Sequence, residues 1–113
     1  GATVINESGQ EEMGKLADAI LDLQREIPPE IDWVLRVDGH TDDVPLSGAG
    51  RYRDNWELSA ARAIAVVKFL IDNGVPADRL VAAGFGEHQP LDNADTPEAR
   101  ARNRRIELRL TEG

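Results

Sequence analysis

Residues 33–39 read Trp33-Val34-Leu35-Arg36-Val37-Asp38-Gly39, a run rich in β-formers that predicts a strand. A polar loop follows from His40 to Asn55, punctuated by Pro45, Gly48 and Gly50. Residues 56–73 are then dense in Ala, Leu, Ile and Val and end on Asn73-Gly74, which predicts a helix with a C-terminal cap. Val75-Pro76 restarts the chain, and Arg79 to Gly84 predicts a second, short strand. The centre of the chain is therefore strand, helix, strand, with a right-handed crossover expected if the strands are parallel.

Outward from this unit, Met13, Leu16, Ala17, Ile20, Leu23 and Ile27 recur at helical spacing, predicting an amphipathic helix over 9–27. Pro28-Pro29 stops it, because proline lacks the N–H and disfavours helix in the residue before it. Downstream, Gly84-Phe85-Gly86-Glu87 turns into a loop that runs to Thr96. Thr96-Pro97-Glu98 reads as a cap followed by proline at the first helical position, giving a short helix to about Arg102. Ile106, Leu108 and Leu110 alternate with Glu107, Arg109 and Thr111, the pattern of a strand with one face in and one out. The predicted class is α+β, a two-layer sandwich with two main helices on one face of a small mixed sheet.

The chain has 113 residues, 41% hydrophobic and 30% charged, which suits one domain over 1–113 and argues against disorder. No apolar run approaches the length of a membrane helix, so any export signal or anchor is expected outside these residues. The absence of cysteine excludes disulfides and thiolate chemistry. A net charge of −8 opposes non-specific binding to nucleic acid or anionic lipid. Arginines 100, 102, 104, 105 and 109 cluster near the end, without the neighbouring aromatics that base stacking needs.

Two segments carry charge and polarity at element boundaries: Gly39-His40-Thr41-Asp42-Asp43 and Asn55-Trp56-Glu57-Leu58-Ser59-Ala60-Ala61-Arg62. Asp42 leaves the carboxyl end of its strand, where ligand sites of α/β folds collect. Leu58 and Arg62 are four apart and share a helical face. An aspartate facing an arginine in this way either closes as a salt bridge that fixes the loop, or holds a zwitterion by its two charged ends.

These segments, with Gly84-Phe85-Gly86-Glu87, Pro90 and Arg102-Asn103-Arg104-Arg105-Ile106-Glu107, resemble the OmpA/MotB C-terminal family over roughly residues 9–111. The long loop after Asp42, Val44-Pro45 and the Asn55–Ser59 stretch resemble its flagellar-motor stator branch more than its lipoprotein branch. The resemblance implies a βαβαββ fold whose first strand is truncated or missing here, with residues 1–8 the expected remnant of that strand and its loop. It implies non-covalent binding of peptidoglycan through the meso-diaminopimelate end of the stem peptide, without a cofactor, metal or catalysis. Asp42 and Arg62 match the main ligand pair, and Asn55, Arg104 and Thr41 fall in the supporting motif, with Leu58 lining the pocket. The implied setting is the Gram-negative periplasm, with a membrane reached only through an inner- or outer-membrane anchor outside these residues. An exposed edge left by the short first strand is expected to pair with Thr3–Ile5 or with a second copy of the chain.

Other readings carry less. Asp38-x-His40-x-Asp42 is a poor metal pattern, and no HExxH, nucleophile elbow or phosphate loop exists. Glu57 beside Asp42 is a conceivable carboxylate pair for sugar hydrolysis, but a chain with five aromatics offers no aromatic-lined cleft. Trp33 and Trp56 fit a core position or a protein-interaction scaffold. His40 is expected as a structural hydrogen-bond former, Asn55 also suits a helix cap, and Gly39 and Gly84 are expected as tight turns.

Overall fold

The computed structural model describes residues 7–46 and 52–112. The order is α1 (Glu7–Glu26), β1 (Trp33–His40), α2 (Asn55–Asp72), a 3-10 turn (Ala77–Arg79), β2 (Leu80–Gly84), α3 (Pro97–Asn103) and β3 (Arg105–Glu112). The three strands form one mixed sheet in the order β2-β1-β3, with β1 parallel to β2 and antiparallel to β3. The expected α+β architecture is observed. The expectations that a first strand survives near the start and that Thr3–Ile5 pairs with a strand edge or a second copy lie outside the described residues.

The core explains the helix-on-sheet packing. Trp33, Leu35 and Val37 point from β1 to the helical side, where they meet Ala17 and Ile20 of α1 and Ala63, Val66 and Leu70 of α2. Removing this contiguous apolar surface from water is the main stabilising term. Trp33 is 6% exposed and thus a core residue, with the Arg79 guanidinium 5.1 Å from its ring. Leu110 lies on the same side of β3 as Ile106 and Leu108 but is exposed, so the alternation outlasts the helical cover.

Two caps close the helices. Asp54, rather than Asn55, caps α2 by accepting from Glu57 N at 2.9 Å, and Asn55 is the first residue of the helix. Thr96 caps α3 through Ala99 N at 3.1 Å, with Pro97 at the first position as its sequence predicts.

Gly39 and Gly84 have a different role from the tight turns expected of them. Among the described residues positive φ belongs to Gly74 and Gly86, at 100° and 61°. Gly39 lies one residue before the end of β1 and Gly84 ends β2, and a Cβ on them would lie 2.1 Å from Ser59 O and 2.7 Å from Ala60 N. The missing side chains let the second turn of α2 rest on the strand ends. That close approach sets where Arg62, half a turn further on, meets the loop that leaves β1.

Candidate functional site

The site grows from the end of β1. Thr41 is buried, donates its N–H to Gly86 O at 2.9 Å, and turns its hydroxyl to Asp42 O at 2.9 Å. Asn55 is buried and spends its side-chain amide on Asp42 O at 3.3 Å and Val44 O at 3.2 Å. The loop is therefore stitched to the first turn of α2 by a side chain rather than by ladder hydrogen bonds.

So held, the Asp42 carboxylate is 14% exposed. Its Oδ1 accepts from Val44 N at 3.1 Å, and its Oδ2 lies 2.6 Å from Arg104 Nη1. Arg62 does not close on Asp42; its Nη1 reaches His40 O at 3.4 Å. No carboxylate among the described residues makes an ion pair with Arg62. Burial lowers the Arg62 pKa and the neighbouring Arg104 charge lowers it further, while Asp42 pulls it back up. A guanidinium stays protonated through such a change. The cluster thus holds two guanidiniums and one carboxylate, so one positive charge lacks a partner.

The structure therefore brings Thr41, Asp42, Asn55 and Arg104 into direct contact, with Arg62 coupled to Asp42 and Arg104 through charge. Leu58 is buried on the α2 face it shares with Arg62 and offers little open surface. The salt-bridge alternative for Asp42 and Arg62 is not the arrangement seen, because Arg104 takes that part. Sequence reading passed over Asn103, which is buried and fastens the loop before α3. Its Oδ1 accepts from Leu91 N at 2.9 Å and Asp92 N at 3.1 Å, and its amide returns to Asp92 O at 2.9 Å. The one signal was an uncharged polar residue inside an arginine run, immediately before Arg104.

The helix-free side of the sheet holds a second set of charges around a cavity of about 370 Å³. Register places Arg36 opposite Arg109, Asp38 opposite Glu107 and His40 opposite Arg105. Like charges face each other directly, and opposite charges meet two residues along the same strand: Arg36 grips Asp38 at 2.7 and 3.0 Å, and Arg105 Nε lies 3.2 Å from Glu107. Asp38, His40 and Glu107 converge within 4.8 Å, so the shared-face partner of the Asp38–His40 pair is Glu107 rather than Asp42. Asp38 is already held by Arg36 and lies 3.4 Å from Arg109, so a cation here faces three guanidiniums.

His40 is 3% exposed and stacked on Phe85 at 5.0 Å. Its Nε2 lies 3.1 Å from Glu107 Oε2 without the alignment of a hydrogen bond, and neither ring nitrogen has a hydrogen-bond partner. The structural hydrogen bond expected of this residue is made by its backbone carbonyl, to Arg62. Burial lowers the His40 pKa, Arg105 lowers it further, and Glu107 and Asp38 act against both.

Helices on one side of a small mixed sheet, with a charged cluster at the β1 carboxyl end, place the chain among compact α+β domains. Residues 1–104 match the OmpA family, and the chain belongs to that family. It is 34% identical over 106 residues to the uncharacterized protein YtxE of Bacillus subtilis, covering 93% of this chain and 43% of that protein. It is 38% identical over 77 residues to the peptidoglycan-binding protein ArfA of Mycobacterium tuberculosis, covering 68% of this chain and 22% of that protein. The crystal structure of the C-terminal domain of Helicobacter pylori MotB superposes with a TM-score of 0.84 at 29% identity, over 99% of this chain and 80% of that one. This agrees with the resemblance to the stator branch. The chain spans less than half the length of these two curated relatives. Their sources are diverse enough that membership does not select a Gram-negative envelope. Among the described residues no helix is long and apolar enough to cross a membrane.

Proposed function

We propose that this chain, as a single domain over 1–113, binds peptidoglycan non-covalently through the diaminopimelate end of the stem peptide. In a longer protein it anchors a membrane-tethered partner segment to the wall, in the periplasm or an equivalent envelope space. Support comes from the family, from a relative named for peptidoglycan binding and from the likeness to a MotB C-terminal domain. The observation that carries the reading is the partly buried Arg62 without a carboxylate partner, beside an Asp42 held in place by Val44 N–H and Arg104. A ligand carboxylate on Arg62 supplies the missing negative charge, and the ligand ammonium meets Asp42. Each charge-assisted hydrogen bond contributes about 1.5–3 kcal/mol. A small head group offers few atoms, so single-site affinity is modest and anchoring gains from many sites on a polymer.

The test is co-sedimentation with purified sacculi and titration with meso-diaminopimelate. Wild type sediments, while Asp42→Ala and Arg62→Ala stay in the supernatant with melting temperatures close to wild type. Normal sedimentation of both variants removes the site assignment. No sedimentation of wild type removes the wall-binding reading in favour of a protein-interaction scaffold.

A further inference from the structure

Five aromatic residues serve this chain, and among the described residues Trp56 is the one that stands in the exposed class, at 52%. The fold has buried Trp33 and left this second indole in water. It is not a loose side chain. His88 stacks on it with ring centroids 4.8 Å apart and planes 27° from parallel.

Both partners are fixed from beneath by Ser59, which is fully buried. Its hydroxyl donates to Trp56 O at 3.0 Å and accepts from Gly86 N–H at 2.9 Å. Gly86 holds φ 61°, and His88 N–H closes the turn onto Phe85 O at 3.3 Å. The same frame carries the charged cluster. Gly86 O accepts the Thr41 N–H, and Asn55, the chain neighbour of Trp56, holds the carbonyls of Asp42 and Val44. An aromatic platform and the Asp42 loop are thus parts of one hydrogen-bonded unit, and neither ring of the stack takes part in an ion pair among the described residues.

We propose that the Trp56–His88 stack is a second subsite, taking the apolar face of a neutral pyranose ring of the glycan strand beside the charged subsite for the stem peptide. This rests on the peptidoglycan-binding reading and deepens it. The chemistry follows from the ring faces: an indole presents a negative π-cloud, and a pyranose presents a patch of polarised C–H bonds. With His88 against the indole, the part left in solvent is what the sugar covers. A platform without an ion pair suits an N-acetylated sugar better than a second charged residue of the peptide. A polymer engaged through both its peptide and its glycan is also held in one orientation.

The test compares two ligands, a diaminopimelate-containing tripeptide and the disaccharide carrying that tripeptide, titrated by calorimetry into wild type, Trp56→Ala, Trp56→Phe and His88→Ala. Wild type is expected to bind the disaccharide–tripeptide about three- to tenfold more tightly than the tripeptide, the size of one aromatic contact. Trp56→Ala loses that increment with tripeptide affinity unchanged, Trp56→Phe keeps part of it, and His88→Ala lowers it without touching the loop beneath. An increment that survives in Trp56→Ala, or an equal loss for both ligands, overturns the sugar subsite and leaves the peptide site standing. Absence of binding by wild type to either ligand overturns the peptidoglycan reading and the subsite with it. Should Trp56→Ala fail to fold, His88→Ala decides: an unchanged increment there also overturns the proposal.

Discussion

Asp42 and Arg104 face each other at 2.6 Å, while Arg62, the arginine nearer in sequence to that aspartate, has no carboxylate on it. The two guanidiniums differ in exposure as well as pairing. Arg104 is 48% exposed and can swing into solvent, whereas Arg62 is partly buried and tied to a strand-end carbonyl. On the proposed reading, an incoming ammonium displaces Arg104 from Asp42, and an incoming carboxylate meets Arg62 already in place. A ligand ammonium takes over the charge-assisted contact that Arg104 gives up on Asp42, so the exchange is close to neutral.

That asymmetry sets an order of effects. Arg62→Gln should lower affinity for a diaminopimelate tripeptide by about ten- to a hundredfold, the loss of a charge-assisted hydrogen bond. Arg104→Gln should change it by no more than about threefold, because a freed Asp42 offsets the lost charge. Calorimetric titration of both variants checks this, and the reverse order would identify Arg104 as the group that holds the ligand carboxylate.

Asp42→Asn separates charge from scaffolding. The amide keeps an oxygen for Val44 N–H, so the loop should persist and stability should fall by less than about 1 kcal/mol. Binding should nevertheless drop at least tenfold, since a neutral amide cannot balance an ammonium. Urea unfolding beside the same titration reads both quantities, and retained affinity would show that the ammonium lies elsewhere.

The elements were legible because their signals are local. The helix over 9–27, the strand from Trp33, the Thr96-Pro97 cap and the β3 alternation all depend on residues a few positions apart. The pairing inside the site was not legible. Asp42 and Arg104 are 62 positions apart, and which of two arginines reaches the aspartate depends on how α3 hands over to β3. Gly39 and Gly84 looked like turns because sequence shows only a missing side chain, whereas the reason for its absence sits on α2. The charge bands of Arg36 with Arg109, Asp38 with Glu107 and His40 with Arg105 appear only once the β1–β3 register is known.

The close seat of α2 yields a contrast between glycines. Gly39→Ala places a Cβ against the Ser59 carbonyl, a backbone atom that cannot rotate away, so α2 must shift. Overpacking of this kind costs about 1–3 kcal/mol or more, and the shift should also carry Arg62 away from Asp42 and weaken binding. Gly14→Ala, inside α1 with nothing within 4 Å of the added Cβ, should stabilise by about 0.5–1 kcal/mol. Denaturant midpoints of the two variants test the pair, and a neutral Gly39→Ala would mean the helix seat is looser than drawn.

The buried imidazole makes stability depend on pH. His40 is flanked by Glu107 and Asp38 on one side of the balance and by Arg105 on the other, with Phe85 across its ring. Burial, then Arg105, lowers its pKa in the folded state, so below the ordinary histidine value of about 6.5 the unfolded chain binds a proton that the folded chain refuses. Stability should be fully present above that value, fall as pH drops through it, and level off below the folded pKa. Burial raises the Glu107 pKa, but Arg105, His40 and Arg109 together outweigh it and leave it lowered, which adds a separate loss nearer the carboxylate range. His40→Gln should remove the upper step and leave the lower one. Unfolding free energies measured from pH 8 to 4 in wild type and variant distinguish the two, and an upper step that persists in His40→Gln would assign it to another group.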